Sequence, residues 1–314
     1  MTAGSDSERV LTVGICSRNR PVSLARCLRS LALIEPLVAN VVVVDDGSEP
    51  ALEPLMRAEL GDALPPRITF IRQAKGLTAG RNRIAREAAT PWLLNLDDDA
   101  LIVTAAAIEQ GLDVISGDPR VAAVGFAQTD DAGVPWPAGA QAAPVDYPCW
   151  VPAFIGFAHL LRREAFIAVG GYTEEMGING EEKDLCMRLL AAGGGVVYLP
   201  GAGVAHLADA TGRDMRVYLH QTTRNDVLGS VRNDPLPVLA LTGPMRLLRY
   251  FRMRKGWKIH DPGGFGTLLR EVADALPSAV SSRRPLALSV WREWRRLRTH
   301  PPYDPPAGAG SAAT

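Results

Sequence analysis

The chain has 314 residues, 47% apolar and 22% charged: long enough to bury a sizeable core and too apolar for a disordered or collagen-like chain. Its 34 basic and 34 acidic residues cancel, so net charge alone points to neither nucleic acid nor an acidic partner. That zero averages unlike parts: residues 1–243 carry 21 Lys/Arg against 29 Asp/Glu and residues 244–300 carry 13 against 4, so the C-terminal part faces something anionic or sits against the acidic part.

Residues 1–9 are small and polar, without an apolar export segment, and are expected to be disordered. Strand and helix patterns then alternate: LTVGIC then VSLARCLRSLALI, VVVVDD then ALEPLMRAEL, ITFI then TAGRNRIAREAA, WLLNLDDDA then a helix over about 104–116, and VAAVGFA. This rhythm predicts an α/β fold with a mostly parallel sheet and crossover helices, with VVVV buried on both faces. From 130 to 152 the pattern dissolves into Gly, Pro, Trp and Tyr, as in segments that line a site or act as a lid. FAHLLRREAFIAVGGY predicts a strand, a short helix and a Gly-Gly turn, EEKDLCMRLLAAGG an amphipathic helix with a glycine stop, and VVYLPG a strand leading into GVAHL. Helical patterns follow from Met215, and the Pro/Gly/Ala-rich residues 301–314 are expected to be a disordered tail. No apolar stretch approaches the roughly 18 residues of a membrane span, and four cysteines without a CxxC pair fit buried thiols in a reducing compartment. A cytoplasmic, non-spanning protein is expected.

Open α/β sheets bind ligands beyond the C-terminal ends of their strands. Two such ends are acidic here: Asp45 and Asp46 follow one strand, and Asp97, Asp98 and Asp99 follow another. A buried strand running into three consecutive carboxylates pays in repulsion and desolvation, which a bound cation relieves. Oxygen ligands without a Cys/His cluster suit Mg²⁺ or Mn²⁺ sharing coordination with substrate phosphates; the alternative is a solvated acidic loop. KGLTAGRNR places Lys75, Arg81 and Arg83 at a helix start where phosphate oxygens can be held, with neither P-loop nor GxGxxG spacing. Glu181, Glu182 and Asp184 open a helix, where they either complement its dipole or supply a general base. His206 is a metal or phosphate ligand or a structural histidine.

Taken together, SRNRP after the first strand, VVVVDDGS, GRNRIAREAATPWLLNLDDDA, FAHLLRREAFIAVGGYTEE, GEEKDLCMRLLAAGG and VAHL resemble, in order and spacing, the family 2 glycosyltransferases of GT-A fold. The resemblance covers about residues 10–230. It implies a nucleotide-sugar-binding half over 10–128, an acceptor-binding and catalytic half over 129–230, and leaves 231–300 as a basic helical extension. It further implies that Ser17, Arg18, Asp45 and Asp46 meet the nucleoside, with Asp45 reading the base, and that Arg81 lies near the diphosphate or ribose. Asp97 and Asp99 look like the DxD pair holding Mn²⁺ or Mg²⁺, with Asp98 touching ribose or sugar and His206 completing the metal or diphosphate site. The base in such enzymes is commonly the Asp of an ED pair. Here Glu181-Glu182 stands in that place, which favours Glu182 with Glu181 as the alternative. Trp136, Tyr147 and Trp150 form a candidate acceptor surface, and Tyr172 a packing residue beside the cleft.

The activity implied is inverting hexosyl or deoxyhexosyl transfer from a UDP- or TDP-sugar to a hydroxyl acceptor such as a polysaccharide, lipid carrier or natural product. A non-catalytic nucleotide-sugar-binding relative and a nucleotidyltransferase are the competing readings. RLLRYFRMRKGWK and WREWRRLR interleave basic and apolar residues in helical fashion. They predict a surface helix touching anionic lipid, a docking helix against the acidic half, or a dimer contact.

Overall fold

The computed structural model describes residues 9–208 and 214–306. Its strands are β1 Leu11–Ser17, β2 Val38–Asp45, β3 Ile68–Arg72, β4 Trp92–Asp97, β5 Ala100–Ile102, β6 Val121–Thr129, β7 Cys149–Val151, β8 Ala158–Arg162 and β9 Gly195–His206. The helices are α1 Pro21–Ser30, α2 Leu52–Leu60, α3 Leu77–Glu87, α4 Ala105–Gly117, α5 Arg163–Ala168, α6 Glu181–Ala191, α7 Met215–Asn233, α8 Leu236–Gly256, α9 Gly264–Ser281 and α10 Leu288–Arg296. The strands form one sheet in the order β3-β2-β1-β4-β8-β6-β9-β5, with β7 also paired to β9. β3, β2, β1 and β4 are mutually parallel, β8 runs antiparallel to both β4 and β6, and β9 is parallel to β6.

The valine run behaves as its composition requires. Val41 and Val43 enter the apolar cluster on one face of the sheet, and Val42 and Val44 enter the cluster on the other. α3 lies close on the sheet because two glycines allow it. A Cβ on Gly14 would stand 2.4 Å from Ile84 Cγ2, and one on Gly80 would stand 2.6 Å from Cys16 Sγ. This contact sets Arg81 against the strand ends.

Register then brings the chemistry to one edge. Ser17 pairs with Asp45 across β1 and β2, and Cys16 pairs with Asp97 across β1 and β4. After the three aspartates the chain forms β5, a strand that the sequence pattern had merged into the approach to the next helix. β5 pairs antiparallel with the far end of β9 and sets Ala100 opposite His206. VVYLPG and GVAHL are one long strand, bent so that its first half pairs with β7 and its last residues with β5.

Two expectations about the chain's parts are revised. α7 packs by Leu219, Val227, Leu228 and Val231 into a third apolar cluster with Tyr250 of α8 and Leu268 and Val272 of α9, so the helical extension begins at Met215, not at residue 231. Residues 301–306 are packed, contrary to a disordered tail: Pro301 O accepts from Trp150 N, Tyr303 N donates to Pro148 O, and Tyr303 stacks edge-on against Trp150. The expectations for residues 1–8 and 307–314 lie outside the described residues. The four cysteines are free thiols, and three of them are buried.

The helical extension is tied to the sheet domain through Asp226 on α7. It accepts Lys183 Nζ from α6 at 2.9 Å and Arg249 Nη1 from α8 at 3.2 Å, with Arg246 of α8 on the same carboxylate. Burial alone would raise the Asp226 pKa, but the three cations outweigh it and hold the carboxyl at about 2 against an ordinary 3.8. Lys183 is held below its ordinary range by desolvation despite Asp226. A carboxyl depressed on folding stabilises above its unfolded pKa and loses that contribution as pH falls through its folded value. Asp226→Asn is therefore expected to destabilise at pH 7 by roughly 2 kcal/mol. Denaturant melts at pH 7 and near pH 2 check this, and the gap between variant and wild type should close at the lower pH.

Candidate active site

The carboxylates at the end of β4 have three different environments. Asp98 is buried and fully engaged, accepting Ser17 Oγ at 2.6 Å and Arg20 Nη1 at 2.6 Å. Burial, only partly offset by those two donors, pushes its pKa up to about 7. Asp99 takes the other arm of Arg20, Nη2 to Oδ2, at 2.8 Å, while its Oδ1 is buried without a hydrogen-bond partner. Asp97, about a third exposed at its side chain, accepts Arg81 Nη2 at 2.7 Å. Burial and Asp99 raise its pKa against the pull of Arg81.

His206 closes the group. Its Nε2 stands 3.6 Å from Asp99 Oδ1, and one ligand atom each from Asp97, Asp99 and His206 lie within 4.8 Å of one another. The imidazole is clamped between Trp136 and Phe157, both nearly parallel to it, with centroids 5.1 and 4.8 Å away. Its Nδ1 lies 2.5 Å from Gln128 Oε1. Gln128 donates its own amide nitrogen to Ala140 O, which fixes the amide orientation, so His206 donates through Nδ1 to Gln128 Oε1 and its ring is held with Nε2 towards Asp99. Two carboxylate oxygens, one of them orphaned, and one imidazole nitrogen form a donor set that fits a hard divalent cation such as Mn²⁺ or Mg²⁺.

Arg81 joins this group to the start of α6. It is 2% exposed, it donates to Gly156 O at 2.7 Å as well as to Asp97, and its Nη1 lies 3.7 Å from Glu181 Oε1. Tyr172 lies beneath the guanidinium, 5.5 Å from ring centroid to Cζ, and its hydroxyl meets His159 Nε2 at 2.8 Å. Burial would lower the Arg81 pKa, but Tyr172, Asp97 and Glu181 hold the charge in place. Glu181 is 2% exposed with Oε2 unpartnered, and burial together with Glu182 raises it well above the ordinary carboxyl range. Glu182 is less buried and packs its Oε1 against Gly156, where a Cβ would come within 2.5 Å. The third acid of this turn, Asp184, is taken up by Thr173, Arg188 and Asn233.

Several expected contacts are placed differently. Asp45 is 3% exposed and both its oxygens accept backbone N–H groups, from Ser48 at 2.8 Å and Leu52 at 3.0 Å, so it fixes the turn into α2. These bonds hold its pKa below the ordinary value despite burial. Asp46 Oδ1 accepts the backbone N–H groups of Lys75 and Gly76 and so ties the loop before α3. Ser17 is buried under Asp98, and Arg81 is sealed behind Asp97 rather than open to a diphosphate. Arg18 is exposed and makes no hydrogen bond or ion pair among the described residues, whereas Arg83 pairs with Glu87. Of the aromatic trio only Trp136 is at the site. Trp150 pairs with Val197 at the opposite end of β9 from His206, and Tyr147 reaches only His300 O, at 3.4 Å. Sequence reasoning missed Arg20 and Gln128. Arg20 stood in SRNRP, but no spacing rule separates it from Arg18.

Residues 12–170 match the family described as Glycosyl transferase family 2, which is about half of the chain. The chain belongs to that family. No curated protein sequence matches it significantly. Among solved structures it resembles a mannosyltransferase, PcManGT from Pyrobaculum calidifontis, in complex with GDP-Man and Mn²⁺, at 16% identity and TM-score 0.55 over 95% of this chain and 85% of that one. It also resembles S. aureus TarS 1–349, at 14% identity and TM-score 0.58 over 92% and 87% of the two chains. GalNAc-T7 with UDP, GalNAc and Mn²⁺ matches at 17% identity and TM-score 0.57, over 87% of this chain and 58% of that one. Identities this low speak for the fold alone: the sheet and its helices have the GT-A architecture expected from the family.

If Asp97, Asp99 and His206 bind a cation, Mn²⁺ should raise the melting temperature by mass action. Asp99→Asn or His206→Ala should abolish the shift. Gln128→Ala, which leaves every ligand in place but frees the ring, should weaken Mn²⁺ binding roughly 10–100-fold in a calorimetric titration.

Proposed function

We propose that the protein is a divalent-metal-dependent glycosyltransferase that moves a sugar from a nucleoside diphosphate sugar, a UDP- or TDP-sugar, to an acceptor hydroxyl by a single inverting displacement. The observation that carries this reading is the pairing, through one buried guanidinium, of the Asp97–Asp99–His206 group with the Glu181–Glu182 pair. Family membership supports it, as do the nucleotides and Mn²⁺ bound by the structural neighbours.

In this reading Mn²⁺ or Mg²⁺ held by Asp97, Asp99 and His206 supplies Lewis-acid stabilisation of the charge on the leaving diphosphate. Glu182 accepts the proton of the acceptor hydroxyl. The oxygen so freed forms a bond to the anomeric carbon as the bond from that carbon to the diphosphate breaks, releasing a nucleoside diphosphate. Glu182 suits this task better than Glu181 because it is open enough to meet an acceptor, while Glu181 is enclosed and held towards its neutral form. Arg81 positions Asp97 and the Gly156 turn rather than touching the donor. Arg18, exposed beyond β1, is the loop residue with a side chain available to the donor; Ser17, Asp45, Asp46 and Asp98 shape the loops around it. Trp136, stacked on His206, offers a flat face on which an acceptor sugar or aglycone can lie.

A screen of nucleoside diphosphate sugars for nucleotide release with Mn²⁺ or Mg²⁺ tests the reading, and chelation should stop the release. Glu182→Gln is expected to lower kcat by roughly 10²–10⁴-fold while leaving nucleotide binding with Mn²⁺ intact. Equal loss from Glu181→Gln with an unimpaired Glu182→Gln would reverse the two roles. Nucleotide and metal binding without turnover on any donor would favour a binding protein instead.

A further inference from the structure

The basic surplus of the C-terminal part divides in two. Arg246 and Arg249 of α8 turn inward and, with Lys183, saturate Asp226. Arg252 and Lys255 on α8, Lys258 just after it, and Arg292 and Arg298 on and beside α10 are exposed and form no ion pair among the described residues. Among the described residues Arg295 of α10 forms no ion pair and lies over the ring of Trp291, at 5.1 Å. These cations are not consumed by the acidic half.

They flank an apolar stripe. On α8, Leu241, Met245 and Leu248 recur at helical spacing and are 72%, 64% and 60% exposed. Phe251, also exposed, continues the stripe towards Arg252 and Lys255. Beside it runs a groove of about 740 Å³ between α8 and α10, lined by Leu241, Arg249, Trp291, Trp294, Arg295 and Arg298 among others, with Lys183 in its wall. Lys183 follows Glu182 on α6, so this surface adjoins the helix that carries the glutamate pair. No helix among the described residues is long and apolar enough to cross a membrane.

We propose that the outer surface of α8 and α10 docks on an anionic lipid bilayer. Leu241, Met245 and Leu248 enter the boundary between headgroups and acyl chains, the indole of Trp291 lies at headgroup level, and Arg295 and Arg298 take lipid phosphates in the groove. Charge complementarity selects this occupant. A second copy of the chain meeting the stripe through a two-fold axis would bring the same cations face to face. Nucleic acid would leave the aliphatic stripe exposed to water.

The test is sedimentation of the full chain with phosphatidylcholine vesicles, with and without phosphatidylglycerol, at low salt. Binding to the anionic vesicles alone, weakened by added salt, is expected. Arg295→Gln with Arg298→Gln should weaken it about thirtyfold, from about 1 kcal/mol per basic residue at an anionic surface. Leu241→Glu with Leu248→Glu, two exposed positions, should weaken it at least as much while the thermal melt stays unchanged. Failure of the wild-type chain to sediment with anionic vesicles overturns the proposal, as do variants that bind like wild type. A dimer seen by light scattering that Leu241→Glu with Leu248→Glu splits would assign the stripe to a second copy instead. Because the readout is binding, the result stands apart from whether the chain transfers a sugar.

Discussion

Five carboxylates converge on one edge of this sheet, three at the end of β4 and two at the start of α6, and their mutual repulsion is the constraint to which the surrounding structure responds. Two arginines answer it. Arg20 straps Asp98 and Asp99 together from the solvent side, and Arg81 lies buried between Asp97 and Glu181. Burial holds Asp98 and Glu181 towards their neutral forms, while Asp97 and Glu182 keep part of their surface exposed. Hydrogen-bond partners then separate the two buried aspartates: Asp98 is engaged at both oxygens, and Asp99 at one. The orphaned oxygen of Asp99 marks the place where the protein's own donors run out.

Arg81 reaches its position only because the backbone beneath it is stripped of side chains. Gly14 and Gly80 let α3 settle on β1, and Gly156 admits both the guanidinium and Glu182 to the same turn. A larger residue at Gly14 or Gly80 would lift α3, and Arg81 with it, off the sheet, and one at Gly156 would press directly on Glu182 Oε1. The loop residues act more locally: Asp45 and Asp46 accept backbone N–H groups and hold the loops beside the site.

The parallel core was legible because its code is local. A valine run buried on both faces, a strand ending in acids and a glycine-stopped helix each state their structure within about ten residues. What the sequence concealed depends on long-range register. β5 is three residues long and exists only because β9 bends back to pair with it, and that pairing is what sets His206 beside Asp99. Gln128 looks like one more strand residue until β6 is laid against β9. The aromatic segment misled for a related reason: composition cannot say that Trp136 folds onto His206 while Trp150 is carried to the opposite end of the same strand and covered by Tyr303.

Charge arithmetic also changes meaning once the residues have positions. The acidic excess of the first part and the basic excess of the second do not simply neutralise each other across an interface. Asp226 alone absorbs Lys183, Arg246 and Arg249, and Asp234 shares Arg246, which is enough to seat α8 on α7. Arg296 pairs with Glu293 within α10, while Arg252, Lys255, Lys258, Arg292 and Arg298 form no ion pair among the described residues and stand beside the aliphatic side chains that α8 leaves in water. A helix that needed only to dock on its own domain would not require Leu241 or Leu248 on its outer face. The same helix therefore carries two chemistries, an inward one that completes the fold and an outward one that the fold leaves unsatisfied.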